Sequence, residues 1–72
     1  MKKTMKEIAI RDEFIKLGQA MKLADMVSGG GEAKEVIISG EVKVNGEVEL
    51  RRGRKLRSGD VFSYKNEEAV IK

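Results

Sequence analysis

Five cations, Arg51, Arg52, Arg54, Lys55 and Arg57, stand in the seven positions from Arg51 to Arg57, with no carboxylate among them. Such a cluster suits a polyanion. A guanidinium is planar and permanently charged, and it can hold phosphate oxygens in pairs or stack on an exposed base. Neutralising phosphates supplies affinity with little sequence discrimination. The preceding stretch has the opposite sign: Gly29 to Leu50 carries Lys34 and Lys43 against Glu32, Glu35, Glu41, Glu47 and Glu49. A surface built only for solubility intersperses the two charges. Net charge is just +3, from 15 basic and 12 acidic residues, so the asymmetry rather than the total points to a nucleic-acid partner.

Other chemistry is poorly supplied. The chain has no His and no Cys. Structural zinc draws mainly on those two residue types, so no metal is expected. The Asp and Glu residues are scattered among turns and solvated faces, and so small a domain has little volume for a water-excluding pocket. The sequence therefore predicts no enzyme activity, no cofactor and no small-molecule ligand. Gly29-Gly30-Gly31 precedes a helical stretch and could let a phosphate approach free amides at a helix start. It is not a nucleotide-binding P-loop, because Glu32-Ala33-Lys34 follows where Gly-Lys-Ser/Thr would be needed. Its plainer reading is a tight turn between helices, with Gly30 and Gly31 placed to meet a passing backbone phosphate. The aromatics are Phe14, Phe62 and Tyr64, and core packing explains them better than a base-stacking platform.

The elements that must position these residues follow from periodicity. Ile8 and Ile10 alternate with Glu7 and Ala9, which predicts a short first strand. Leu17, Ala20, Met21, Ala24 and Val27 follow helical spacing and predict a helix over 17–27. Ser28-Gly29-Gly30-Gly31 interrupts it. A second helix is predicted over 32–39, with Ala33, Val36 and Ile37 on one side and Gly40 as its closing glycine. Val42-Lys43-Val44 then leads into Asn45-Gly46, the strongest short hairpin signal, with Val48 and Leu50 on the return strand. Strands over 61–64 and 69–71 complete the pattern. The fold class is α+β: a two-helix hairpin packed on a small antiparallel sheet.

Seventy-two residues make one domain, spanning 1–72, with a thin stability margin. The charged start from Met1 to Glu7 has no apolar run after it, so no secretory signal is expected. No apolar stretch approaches the roughly 20 residues that span a bilayer. A cytoplasmic protein with no membrane partner is the expectation.

From Lys16 to Tyr64 the chain resembles the S-four RNA-binding domain family, named after ribosomal small-subunit protein four, and in particular its short stand-alone bacterial members. The family opens its first helix with Arg-Leu-Asp-x-x-Leu. Here Lys16-Leu17-Gly18-Gln19-Ala20-Met21 keeps the basic and apolar positions and replaces the Asp. The second helix usually begins Ser-Arg-x-x-Ala-Arg. This chain has Gly29-Gly30-Gly31-Glu32-Ala33-Lys34, with Gly30 in place of the Arg, and the stand-alone members look similar there. Val36-Ile37, Gly40, Val42-Lys43-Val44-Asn45-Gly46 and Leu56-Arg57-Ser58-Gly59-Asp60 complete the ordered match.

The resemblance implies a helix hairpin and a β-hairpin that together grip structured RNA. Ribosomal RNA, during subunit assembly, is the expected target. The residues expected at the RNA are Lys16, Gly30, Gly31, Lys34, Lys43, Asn45, Arg51, Arg52, Arg54 and Lys55, with Asn45 first a turn residue. Arg51, Arg52 and Arg54 are expected to be loop cations whose removal leaves the fold intact. A different class, a β-grasp carrier or protein-interaction module, is disfavoured as a carrier because the chain ends Ala69-Val70-Ile71-Lys72 and not in Gly-Gly. DNA remains open, since phosphate contacts do not separate the two polymers.

Overall fold

The computed structural model describes residues 4–72, so Lys2 and Lys3 of the charged start lie outside the described residues. In chain order the elements are β1 (Thr4–Ile8), β2 (Ile15–Lys16), α1 (Leu17–Leu23), α2 (Gly30–Ile38), β3 (Val42–Val44), β4 (Glu47–Val48), β5 (Lys55–Leu56), β6 (Val61–Tyr64) and β7 (Glu67–Ile71). One sheet has the order β1-β7-β6-β3-β4, and β2 pairs with β5 in a second, two-stranded sheet.

The Asn-Gly signal produces the expected hairpin. Asn45 and Gly46 both have positive φ, 51° and 87°, and Val44 pairs with Glu47 across the turn. Positive φ at both central residues is the type I′ requirement that selects Asn-Gly. Strand β3 continues the sheet by pairing antiparallel with β6, and β6 with β7. The sheet is nevertheless mixed, not purely antiparallel, because β1 runs parallel to β7 with Ile8 opposite Ile71. A parallel pair needs a long crossover, and here nearly the whole chain supplies it. The first strand also lies earlier than its Ile8–Ile10 alternation suggested, with Ile8 at its end.

Helix α2 starts earlier than expected, taking Gly30 and Gly31 out of the interhelical turn and into its first turn. It otherwise follows its pattern, burying Ala33, Val36 and Ile37 and closing on Gly40 at φ 84°. The amides of Gly40 and Glu41 donate back to Ile37 and Val36, the paired bonds of a Schellman closure. Helix α1 is shorter than its apolar stripe. It stops at Leu23 because Asp25 takes φ 59°, while the amides of Asp25 and Met26 donate to Lys22 and Met21 at 3.0 Å each. The same closure is thus built on Asp instead of Gly. Met26 and Val27 are still buried, but from a turn. The Ala24 carbonyl at the end of α1 accepts a hydrogen bond from Lys6 Nζ, which also pairs with Glu67 at 3.2 Å. A cation is well placed there, where the helix dipole is negative.

The core is one cluster between the helices and one face of the larger sheet. Leu17, Ala20 and Met21 of α1 meet Ile37 of α2 and Val42, Phe62, Ala69 and Ile71 of the sheet. Leu56 of β5 is fully buried in the same cluster, which anchors the end of the basic loop.

Asp25, like Asn45 and Lys65, takes a positive φ without being glycine. Glycine occupies the left-handed region without steric cost. Asp25→Gly should therefore raise the unfolding free energy by up to about 1 kcal/mol. Urea unfolding checks this as a raised midpoint with an unchanged slope.

Candidate nucleic-acid interface

Helix α1 begins without a side-chain cap: Lys16 stands at its N-cap position and makes no capping bond. The first amides of a helix have no partner within it and must find one elsewhere. Here they find the basic loop. Leu17 N–H donates to the Arg54 carbonyl at 2.8 Å and Gly18 N–H to the Arg52 carbonyl at 3.1 Å. The short β2–β5 ladder, with Ile15 opposite Leu56 and Lys16 opposite Lys55, continues the contact. The loop backbone thus caps the helix. Gly18 lets the Arg52 side chain pack closely over the helix start. A Cβ there would lie 2.8 Å from Arg52 Cγ and push that side chain aside, while the Arg52 carbonyl would stay at an ordinary 3.7 Å. A glycine that only weakens a helix start when read in sequence sets where Arg52 lies.

Inside the loop a single carboxylate organises the guanidinium groups. Glu49 is 8% exposed and accepts from Arg54 Nη1 at 2.7 Å, from Arg51 Nε at 3.2 Å and from the Arg51 amide at 3.1 Å. Hydrogen bonds from the Arg51 side chain, then from Arg54, hold its carboxyl at about 2, below the ordinary 4.5. The expectation that removing Arg51, Arg52 and Arg54 leaves the fold intact is therefore corrected for two of the three. Arg51 and Arg54 bind Glu49, so removing them removes the partners of a buried charge, which is destabilising. Arg52 stands outside this clamp.

Arg52 lines a cleft of about 270 Å³ together with Lys16, Gly18, Gln19, Lys22, Gly30 and Gly53. Three cations and three glycines from β2, α1, the start of α2 and the loop meet there. Of the residues expected at the RNA, the cleft unites Lys16, Gly30 and Arg52. Gly31 is exposed beside Gly30, and Lys34 lies one turn further along the same side of α2. Arg51, Arg54 and Lys55 surround an adjoining cleft that shares Gly53. Lys43 and Asn45 sit apart, on β3 and the hairpin turn. The Asn45 amide is engaged at both ends, donating to Asp60 at 3.2 Å and accepting from the Val61 amide at 3.0 Å, which makes it a turn residue.

Sequence reading missed Lys22 and Glu49. Lys22 follows Gly18 by four residues on the face opposite Leu17, Ala20 and Met21, so helical spacing alone could have found it. Glu49 had no such signal. Val48 and Leu50 alternate as core residues do, yet they are 53% and 56% exposed and the carboxylate between them is buried. Glu32 also behaves differently from a free carboxylate facing an anion. It accepts from the Ser28 amide at 2.8 Å and the Ser28 hydroxyl at 3.0 Å, and the amide bond leads in lowering its pKa.

A model of the S4 domain family matches residues 8–72. The chain belongs to the S4 domain family. A relative from Bacillus subtilis (strain 168), the probable ribosome maturation protein RlbA, is 54% identical over 54 residues, covering 75% of this chain and 76% of that protein. The solution structure of YbcJ from E. coli, described as revealing an αL motif involved in RNA-binding, matches with a TM-score of 0.72 at 28% identity. That match covers 94% of this chain and 87% of the neighbour. Within this S4 domain, Gly18 replaces the Asp of the first-helix pattern, and the Arg52 side chain packs over it, its Cγ 2.8 Å from where a Cβ would stand.

The depressed Glu49 pKa fixes a pH window. A carboxyl that titrates lower in the folded state stabilises fully above its unfolded value of 4.5, and that stability is lost as pH falls toward about 2. Glu49→Gln should cost about 1–3 kcal/mol at pH 7. Below pH 4.5 its remaining stability should fall less steeply than the wild type's, with a residual slope from Asp60, whose pKa is lowered first by the Arg57 amide, and from Glu32, lowered first by the Ser28 amide. Urea unfolding of both proteins across that pH range checks the difference.

Proposed function

We propose that this S4 domain grips structured RNA through the cleft between α1, α2 and the basic loop, and that its target is ribosomal RNA during subunit maturation. The convergence of Lys16, Lys22 and Arg52 on one cleft carries the reading. Three positive side chains set by separate elements match the phosphates of a folded backbone better than an extended strand of charge would. Gly30 and Gly53 have open space where a Cβ would stand, so a phosphate can come close to the main chain. The first amides of α2 lie beside Gly30 and lack intrahelical partners, which favours an anion.

Discrimination follows from shape. Phosphate contacts position a nucleic acid without reading its sequence, and A-form RNA is recognised mainly through the spacing of its backbone and its 2′-hydroxyls. The preorganised loop fits that mode. The ribosomal target draws its support from the Bacillus subtilis relative, whose name places it in ribosome maturation. RNA involvement is also stated for the E. coli neighbour that shares the fold. The domain acts in this reading as a binding module without catalysis.

Changing Lys16, Lys22 and Arg52 together to Ala should weaken binding to different structured RNAs by similar factors. If each neutralises one phosphate, the slope of log affinity against log salt should flatten by roughly 2 to 3 units. Lys72, already paired with Glu7 at 3.3 Å, is the control. Fluorescence anisotropy with ribosomal RNA fragments reads both quantities. An unchanged slope in the folded triple variant would place the contact surface elsewhere.

A further inference from the structure

We infer that a cleft beside the cationic one receives an unstacked nucleobase from the same RNA strand; this rests on the RNA-binding reading above and adds to it a site for an unpaired nucleotide. The cleft, of about 370 Å³, lies along the segment between β1 and α1 and is bounded by Ile10, Arg11, Asp12, Phe14, Ile15 and Gln19. Its walls suit a flat ring with polar edges. Ile10 and Ile15 are partly buried and fixed against the core, so they form a rigid apolar side. Phe14 supplies an aromatic face. Phe62 and Tyr64 are buried in the core, whereas Phe14 is only half-buried, with Lys55 over one face of its ring, so a base would stack on the other face.

Two contacts tie this cleft to phosphate chemistry. Lys55 Nζ stands 4.7 Å from the Phe14 ring centroid, so a cation accompanies the aromatic surface. Gln19 lines both this cleft and the one holding Lys16, Lys22 and Arg52. A ligand spanning Gln19 therefore meets three cations on one side and, on the other, a shallow cleft in which Phe14, Ile10 and Ile15 stand beside the polar Arg11 and Asp12. A nucleotide has that division, with its anionic phosphate one sugar away from a π-face. Gln19 offers both a donor and an acceptor to a base edge, Asp12 an acceptor for an exocyclic amine, and Arg11 donors. A paired base keeps its faces and its Watson–Crick edge occupied, so the slot selects unpaired nucleotides.

The test uses the full chain, a short oligoadenylate carrying one 2-aminopurine, and a blunt A-form RNA duplex. Phe14→Leu keeps apolar bulk and removes the ring. It should weaken the oligoadenylate by about tenfold, the scale of one lost base stack, and abolish the 2-aminopurine fluorescence change, while leaving duplex affinity unchanged. Asp12→Ala, an exposed change outside the cationic cleft, should weaken the oligoadenylate selectively as well, and it carries the test if Phe14→Leu does not fold. Wild-type affinity and fluorescence response in both folded variants, or equal losses for oligoadenylate and duplex, would overturn the base site while the cationic cleft stands. Failure of the wild type to bind either RNA would overturn the RNA-binding reading itself.

Discussion

Two backbone hydrogen bonds decide where the positive charge of this protein stands. The amides of Leu17 and Gly18 donate to the carbonyls of Arg54 and Arg52, and through them the basic loop becomes the cap of α1. The constraint works in both directions. Without the loop, an uncapped helix of seven residues would carry unsatisfied amides at its start. Without the helix, the loop would be a mobile arm whose cations lose entropy each time they meet a ligand. Docked, it forms one wall of the cleft, and preorganisation of this kind removes part of the ordering cost of binding any ligand there.

The arginines of the loop divide their labour accordingly. Glu49, nearly buried, gathers Arg51 and Arg54 and fixes the loop's shape. Arg52, whose carbonyl takes the Gly18 amide, directs its side chain to the cleft. A carboxylate in the middle of a cationic surface lowers the net charge there, so its presence argues for geometry over raw potential. Leu56, fully buried just after the loop, and Leu17, fully buried just after Lys16, tie both walls into the core. The same residues that stabilise the fold therefore hold the cleft open.

Local chemistry explains which parts were legible from sequence. Asn45-Gly46 declares its turn because the backbone there needs positive φ at both residues. Gly40 marks the end of α2 for a similar reason. The end of α1 was hidden, because Asp25 enters the left-handed region that Asp tolerates, and the apolar stripe runs on through Met26 and Val27. The parallel pairing of β1 with β7 joins the two ends of the described chain, and no periodicity reports such a contact. The cationic loop was found by composition, yet the place of the Arg52 side chain depends on Gly18, which in sequence is only a poor helix former. Glu49 was obscured by the alternation of Val48 and Leu50, a core pattern that the structure turns outward.

The central claim is that RNA contacts the cleft where α1, α2 and the docked loop meet. Amide chemical-shift mapping by NMR during titration with a ribosomal RNA fragment tests it residue by residue, without any substitution. The account predicts that the largest shifts fall on Gly18, Gln19, Lys22, Gly30, Arg52 and Gly53. Shifts confined instead to the outer sheet face, around Lys43, Ser63 and Val70, would contradict it.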